Sequence, residues 1–152
     1  MKGICALLLL LAAPIAVLAQ GSACSEHMIR NAVQTGKIEY TDDSFFWSGA
    51  YDKPVIGKAE HAAAAKKAEA EEPRKNEVSA DHPERVVVSK SGDMAYEYGG
   101  GAVSFDEQKT GKHVSFQIGY LRVWKTVDSQ CKVAATIIRP VESTVPSNEP
   151  PG

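Results

Sequence analysis

Cysteine is scarce in this chain. Three are present, Cys5, Cys24 and Cys131, and their wide separation gives no metal-ligand spacing. The four histidines do no better. His61 falls in a surface helix and His82 in a proline turn, so a metal site would need distant residues to converge, and no metal is expected. An excess of charge of one sign is also missing, with 17 basic against 19 acidic residues and a formal charge of -2. Nucleic acids and anionic membrane surfaces demand clustered Lys and Arg, so neither is expected as a partner. The basic pair Lys66-Lys67 sits among alanines and glutamates as a solvated helix face. No cofactor motif is present either. Gly99-Gly100-Gly101 follows a strand but opens no helix, which makes it a bend or bulge in a curved strand and not a phosphate loop.

The apolar run from Ile4 to Leu11 is broken by Pro14 and is short for a bilayer span. With Lys2 before it and Val17-Leu18-Ala19 after it, residues 1–19 have the charged, apolar and small-residue regions of a secretory signal cleaved after Ala19. The mature protein is therefore expected to be secreted or periplasmic, as one domain over residues 20–142. Cleavage removes Lys2 and makes the chain one unit more acidic. Residues 143–152, with Pro146, Pro150 and Pro151, are too polar and proline-rich to pack and read as a disordered tail.

Cys5 leaves with the signal, so Cys24 and Cys131 remain in an oxidising compartment. A bridge between them would close a loop of over a hundred residues, worth ~4 to 5 kcal/mol in the entropic model. Alternatively Ser22-Ala23-Cys24 has the small residues of a lipoprotein site, although Gly21 stands where Leu is usual, and Cys24 would then carry a lipid anchor.

Ser25 to Thr35 suits a short helix capped by Ser25 and stopped by Gly36. Tyr40 to Trp47 reads as a strand and Ser48 to Pro54 as a turn-rich connection. Ala59 to Glu72, packed with Ala, Lys and Glu, is helical until Pro73 ends it. Lys75 to Ala80 reads as a short strand before Asp81-His82-Pro83 turns the chain into Val86. From Val86 to Arg139 three long strands follow one another, then a shorter run, Cys131 to Ile138. Met94, Tyr96 and Tyr98 alternate with Ala95, Glu97 and Gly99, and Val114, Phe116, Ile118 and Tyr120 with Ser115, Gln117 and Gly119, the alternation of half-buried strands. The turns are Ser91-Gly92-Asp93, Asp106 to Lys112, and Asp128-Ser129-Gln130. Helix, strand, helix, then antiparallel strands is an α+β order, with helices against one face of a curved sheet.

Ser91-Gly92-Asp93-Met94-Ala95-Tyr96-Glu97-Tyr98-Gly99, Gly119-Tyr120-Leu121-Arg122-Val123-Trp124-Lys125 and Asp128-Ser129-Gln130-Cys131-Lys132-Val133 resemble successive strand motifs of the DUF4440 group. That group lies in the SnoaL-like and ketosteroid isomerase-like branch of the NTF2-like superfamily. Tyr40-Thr41-Asp42-Asp43-Ser44-Phe45-Phe46-Trp47 and Pro54-Val55-Ile56-Gly57-Lys58 resemble its acidic pair, aromatic strand and Gly before a helix. The resemblance spans about residues 25 to 140. It implies an α+β, cone-shaped barrel, a curved antiparallel sheet wrapped around helices, with a cavity at the wide end and relatives that dimerise through the outer sheet face.

The same resemblance argues against steroid isomerisation. The general-base Asp of those enzymes aligns with Ser48, which cannot act as base without a partner; the first helix lacks the oxyanion-hole Tyr; and Gly119, Tyr120 and Leu121 occupy the place of the second acid. Cys131 stands where the group usually has Trp. What remains is a ligand pocket, for which Trp47, Tyr96, Tyr98, Tyr120 and Trp124 supply apolar wall and hydrogen-bonding tips; the alternative for each is a core aromatic. The expected ligand is small and apolar or amphipathic, in a homodimer. A cofactor-free isomerase, cyclase or hydrolase would use Asp43 or His113 as base, although a structural carboxylate and an exposed hairpin histidine are the plainer accounts. In an interaction module the cone would instead be filled by its own side chains.

Overall fold

The computed structural model describes residues 24–49, 51 and 53–141. The expected signal at 1–19 and tail at 143–152 lie outside them. The first element, α1 (Glu26–Thr35), starts where Ser25 accepts a hydrogen bond from the Met28 backbone N–H at 3.3 Å, and stops at Gly36, whose φ of 68° places it in the left-handed region that glycine tolerates. Ile29 and Val33, one turn apart, are its buried residues. Their burial contributes about 3 to 6 kcal/mol, which outweighs what a ten-residue helix could supply alone.

β1 (Tyr40–Ser48) and β2 (Val55–Ile56) precede α2 (Lys58–Glu71), after which come β3 (Arg74–Val88), β4 (Met94–Glu107), β5 (His113–Val127) and β6 (Gln130–Val141). They form one six-stranded sheet in the order β2-β1-β6-β5-β4-β3. The pairs are antiparallel except β1 with β6, which is parallel, a pairing that the long crossover through β2, α2 and β3 to β5 permits. The curved sheet is thus antiparallel, as expected, at every pair but this one.

A second correction concerns residues 75–83. Lys75 to Ala80 is not a short strand ended by a turn at Asp81-His82-Pro83; β3 runs straight through, with irregularities between Lys75 and Val78 and between Pro83 and Arg85. As the sheet's edge strand it tolerates a proline without an N–H, and its bulges, Pro83 and flanking charges guard the unpaired side. The β5–β6 hairpin closes on Asp128 and Ser129, both at positive φ (50° and 61°), so the two-residue turn has the handedness that strand twist favours.

Cys24 and Cys131 are joined by a disulfide across 107 positions. The sulfur that a lipid anchor would need is thereby engaged. The bridge lies in the main core with Ile29, Val33, Ala95, Trp124 and Val133. α2 is different: none of its residues is buried. Its alanines bury too little to anchor it, and it is held at its ends, by Gly57 N–H donating to Ser44 O at 2.8 Å and Lys109 Nζ donating to Glu71 O at 2.8 Å. Among the described residues no helix is long and apolar enough to cross a membrane.

Candidate functional site

Period-2 alternation sends Ala95, Glu97, Gly99 and Gly101 of β4 to the face that α1 covers, and Met94, Tyr96 and Tyr98 to the other. Register then aligns a row across the inner face: Phe46 on β1, Thr136 on β6, Arg122 on β5, Glu97 on β4 and Val86 on β3. The middle of that row is polar and closed to solvent, with Glu97 and Thr136 at 0% exposure and Arg122 at 3%.

Arg122 is its hub. One guanidinium nitrogen donates to Glu97 Oε1 at 3.0 Å, a second donates to Asp81 Oδ2 from β3, and the guanidinium carbon lies 4.3 Å from the centre of the Tyr120 ring. Two glycines make this packing fit. A Cβ on Gly99 would stand 2.1 Å from His82 O and 2.9 Å from Tyr120 Oη, and one on Gly101 would stand 2.7 Å from Ala80 O and 3.0 Å from Asp81 Oδ1. The glycine run is thus a site of close approach, with the bulge on the neighbouring strand β3.

Burial raises the Glu97 pKa, and Arg122 opposes the rise. Burial works against the Arg122 charge, but hydrogen bonds and charge from Asp81 and Glu97 outweigh it and the pKa goes up. The Tyr120 hydroxyl is pushed well above the ordinary phenol value by burial and then by the charge on Glu97, which keeps it a neutral donor. Tyr40 is raised by burial as well. Glu97, Arg122, Tyr120, Trp124 and Thr136 bring their polar atoms together in this buried cluster, where Arg122 and Trp124 act on Glu97, and Thr136 and Arg122 on Tyr40.

Asp81 connects the cluster to the outside. It lies on the wall of an open cleft of about 680 Å³ between α1 and β3, with Arg30, Gln34, Ser79, His82 and Pro83. Arg30 spans the rim by donating to Pro83 O at 2.9 Å. Beside the polar row, under the start of α2, Phe46, Tyr40 and Tyr51 surround the His61 ring at 4.1, 6.1 and 6.2 Å, and burial lowers the His61 pKa.

Of the residues picked out in sequence, Tyr120 and Trp124 belong to this interior, at 5% and 2% exposure. Tyr96 and Tyr98 do not: they stand on the outer face, 42% and 40% exposed. Trp47 is half-buried in register with the outer row of Leu121 and Ile137, under the Arg139 guanidinium at 4.0 Å. Asp43 pairs with Lys125 at 3.3 Å on the surface, and His113 bonds Asp106 at 2.7 Å at the mouth of the β4–β5 hairpin, exposed to solvent. Neither candidate base meets the other or the buried cluster. Ser48 pairs with Ile138 in the β1–β6 ladder. Asp81, Glu97, Arg122 and Thr136 were missed by sequence reasoning. The signal was there in part, since Arg122 shares parity with Tyr120 and Trp124.

Searched against family models, the chain matches none, and no curated protein is similar to it. Solved structures do match. An NTF2-like superfamily protein from Salmonella enterica superposes with a TM-score of 0.59 over 80% of this chain and 89% of its own, at 8% identity. The fold is NTF2-like. A ketosteroid isomerase-like protein from Erwinia carotovora atroseptica gives 0.56, 77%, 88% and 17% in the same order. A putative calcium/calmodulin-dependent protein kinase II association domain from Xanthomonas campestris gives 0.55, 77%, 83% and 13%. At such identities the NTF2-like fold is shared, while chemistry must be argued from the side chains.

Proposed function

We propose that this is an exported ligand-binding NTF2-like domain of the DUF4440 and SnoaL-like kind, which takes a small amphipathic molecule through the cleft between α1 and β3. The observation that carries the reading is the Asp81–Arg122–Glu97 cluster, buried at Arg122 and Glu97, beside a cleft that reaches Asp81. The polar end of the ligand faces that cluster and its apolar part lies along Val33 and Pro83. No catalytic step is assigned, because both carboxylates are paired with Arg122 and neither is poised as a free base. Native mass spectrometry of the secreted protein tests this: a retained small molecule on the wild type, lost in Asp81→Asn, is expected. A bare chain mass, together with no thermal shift across a library of amphipathic compounds, would overturn it.

The outer sheet face supports a second property, self-association. Tyr98, Leu121, Ile137 and Trp47 align in one row and Tyr96, Val123, Ala135 and Phe45 in the next, with Met94, Tyr96, Tyr98 and Leu121 each at least 39% exposed. A contiguous apolar band of this kind across a sheet suits an isologous homodimer. Sedimentation should give a dimer for the wild type and a monomer for Tyr98→Glu; a monomeric wild type at tens of micromolar rules it out.

A further inference from the structure

The disulfide sits where one bond decides the position of a whole helix. Cys24 immediately precedes the Ser25 cap of α1, and Cys131 is the second residue of β6. Besides this tie, α1 is held to the sheet by Ile29 and Val33 in the core with Ala32 packed against it, by Arg30 on Pro83 O, and by Cys24 N–H on Gly92 O at 3.3 Å just before its cap. Yet α1 forms one wall of the cleft above Asp81 and, on its other flank, one wall of a groove of about 320 Å³. That groove is lined by Met28, Ala32, Trp124, Gln130 and Cys131.

The two sulfurs are not equivalent. Both belong to the core, but Cys24 is fully buried, while Cys131 keeps 9% exposure and lines the groove. A thiolate entering there meets Cys131 Sγ, with Cys24 Sγ as the leaving atom. Cys24 is also the better leaving group, because it adjoins the positive N-terminal end of α1.

We propose that Cys24–Cys131 is a redox latch on α1, opened by a dithiol reductant that attacks Cys131 from the groove. The incoming thiolate forms an S–S bond to Cys131 Sγ as the Cys24–Cys131 bond breaks and its electron pair leaves on Cys24. The second thiol of the reductant, as thiolate, then displaces Cys131 from the mixed disulfide. The reductant ends as a disulfide, having lost two electrons, and its two protons end on Cys24 and Cys131. With the latch open, α1 lifts from the sheet and the wall of the Asp81 cleft is removed. This inference does not depend on the identity, or the existence, of a ligand.

Hydrogen exchange read by mass spectrometry on the oxidised protein, before and after dithiothreitol, tests it. Amides of residues 29–35 should exchange at least tenfold faster after reduction, with those of β4 and β5 within twofold of their oxidised rates. Unchanged α1 amides would overturn the proposal, and so would equal acceleration throughout, since the bond would then staple the whole fold. Brief treatment with glutathione and peptide mapping give a second reading: the mixed disulfide should lie on Cys131, and its appearance on Cys24 refutes the assigned direction of attack. The double variant Cys24→Ser, Cys131→Ser should show the fast α1 exchange without reductant while keeping its sheet, and global unfolding of it counts against the latch.

Discussion

Replacing Arg122 with Met removes the one cation that faces both Glu97 and Asp81. Methionine fills much of the same volume, so the effect reads charge and hydrogen bonding more than cavity formation. Two carboxylates are left beside each other, Glu97 wholly buried and Asp81 partly open to the cleft. Removing one partner of a buried ion pair typically costs about 3 to 5 kcal/mol, a large share of the ~5 to 15 kcal/mol that holds a domain folded. For a chain of this size the melting temperature should drop by roughly 10 to 20 °C. The pH dependence sharpens the test. The folded-state pKa of Glu97 is raised, by burial first, and Arg122 is what restrains the rise. A raised carboxyl favours folding below the ordinary carboxylate range and disfavours it as pH climbs through the folded value. Without Arg122 the rise grows, so the deficit of the variant should be greatest at neutral pH and shrink on acidification. Changing Asp81→Asn and Glu97→Gln together with Arg122→Met should recover most of the loss, because no uncompensated charge then remains. Urea melts at pH 7 and pH 5 measure all of this. An Arg122→Met protein as stable as the wild type at pH 7, or one whose deficit ignores pH, would show that the cluster is not the charge-balanced unit described.

Three further outcomes follow from the packing and the surface charges. Gly99→Ala should destabilise by about 2 kcal/mol or more through overpacking, because its methyl collides with the His82 carbonyl, whereas Gly100→Ala, with nothing nearer than 3.6 Å, should be tolerated; equal melting temperatures for the two would contradict the strand crossing. Ser25→Ala should cost about 1 kcal/mol by removing the cap on Met28 N–H, read from denaturant midpoints, and Ser25→Asn should restore it. Asp93, held by the Ser89 and Ser91 hydroxyls, and Asp106, held by Asn76 and His113, have lowered pKa values. Their contribution is present above the ordinary carboxylate pKa and lost as pH falls through the depressed values. Carboxyl-carbon NMR titration should therefore find both below, and Glu97 above, the unperturbed midpoint, and a Glu97 midpoint at or below that of Asp93 would be decisive against the reading.

Much of the architecture was legible because its signals are local. Ser25 and Gly36 mark the ends of α1, Gly57 and Pro73 bracket α2, and Asp128-Ser129 closes a hairpin whose strands alternate in phase. The residues around Asp81-His82-Pro83 misled for an equally local reason: turn chemistry was read where an edge strand tolerates it. Alternation gives two faces but not which one is covered. Tyr96 and Tyr98 were therefore assigned inward on the weight of their rings, while the small residues Ala95, Gly99 and Gly101 and the charge of Glu97 turned out to face the interior.

The chain's own letters settled what depends on neighbours a few positions apart: helix ends, strand periods, turns, and an order of elements that permits one curved sheet with two helices. Three-dimensional packing alone decided the rest, because Asp81, Glu97 and Arg122 come from separate strands and meet only through register, and because Cys24 and Cys131 become neighbours only when α1 returns to β6. A charge reads as solvent-facing until a partner across the sheet neutralises it, and that partner is a property of the assembled strands.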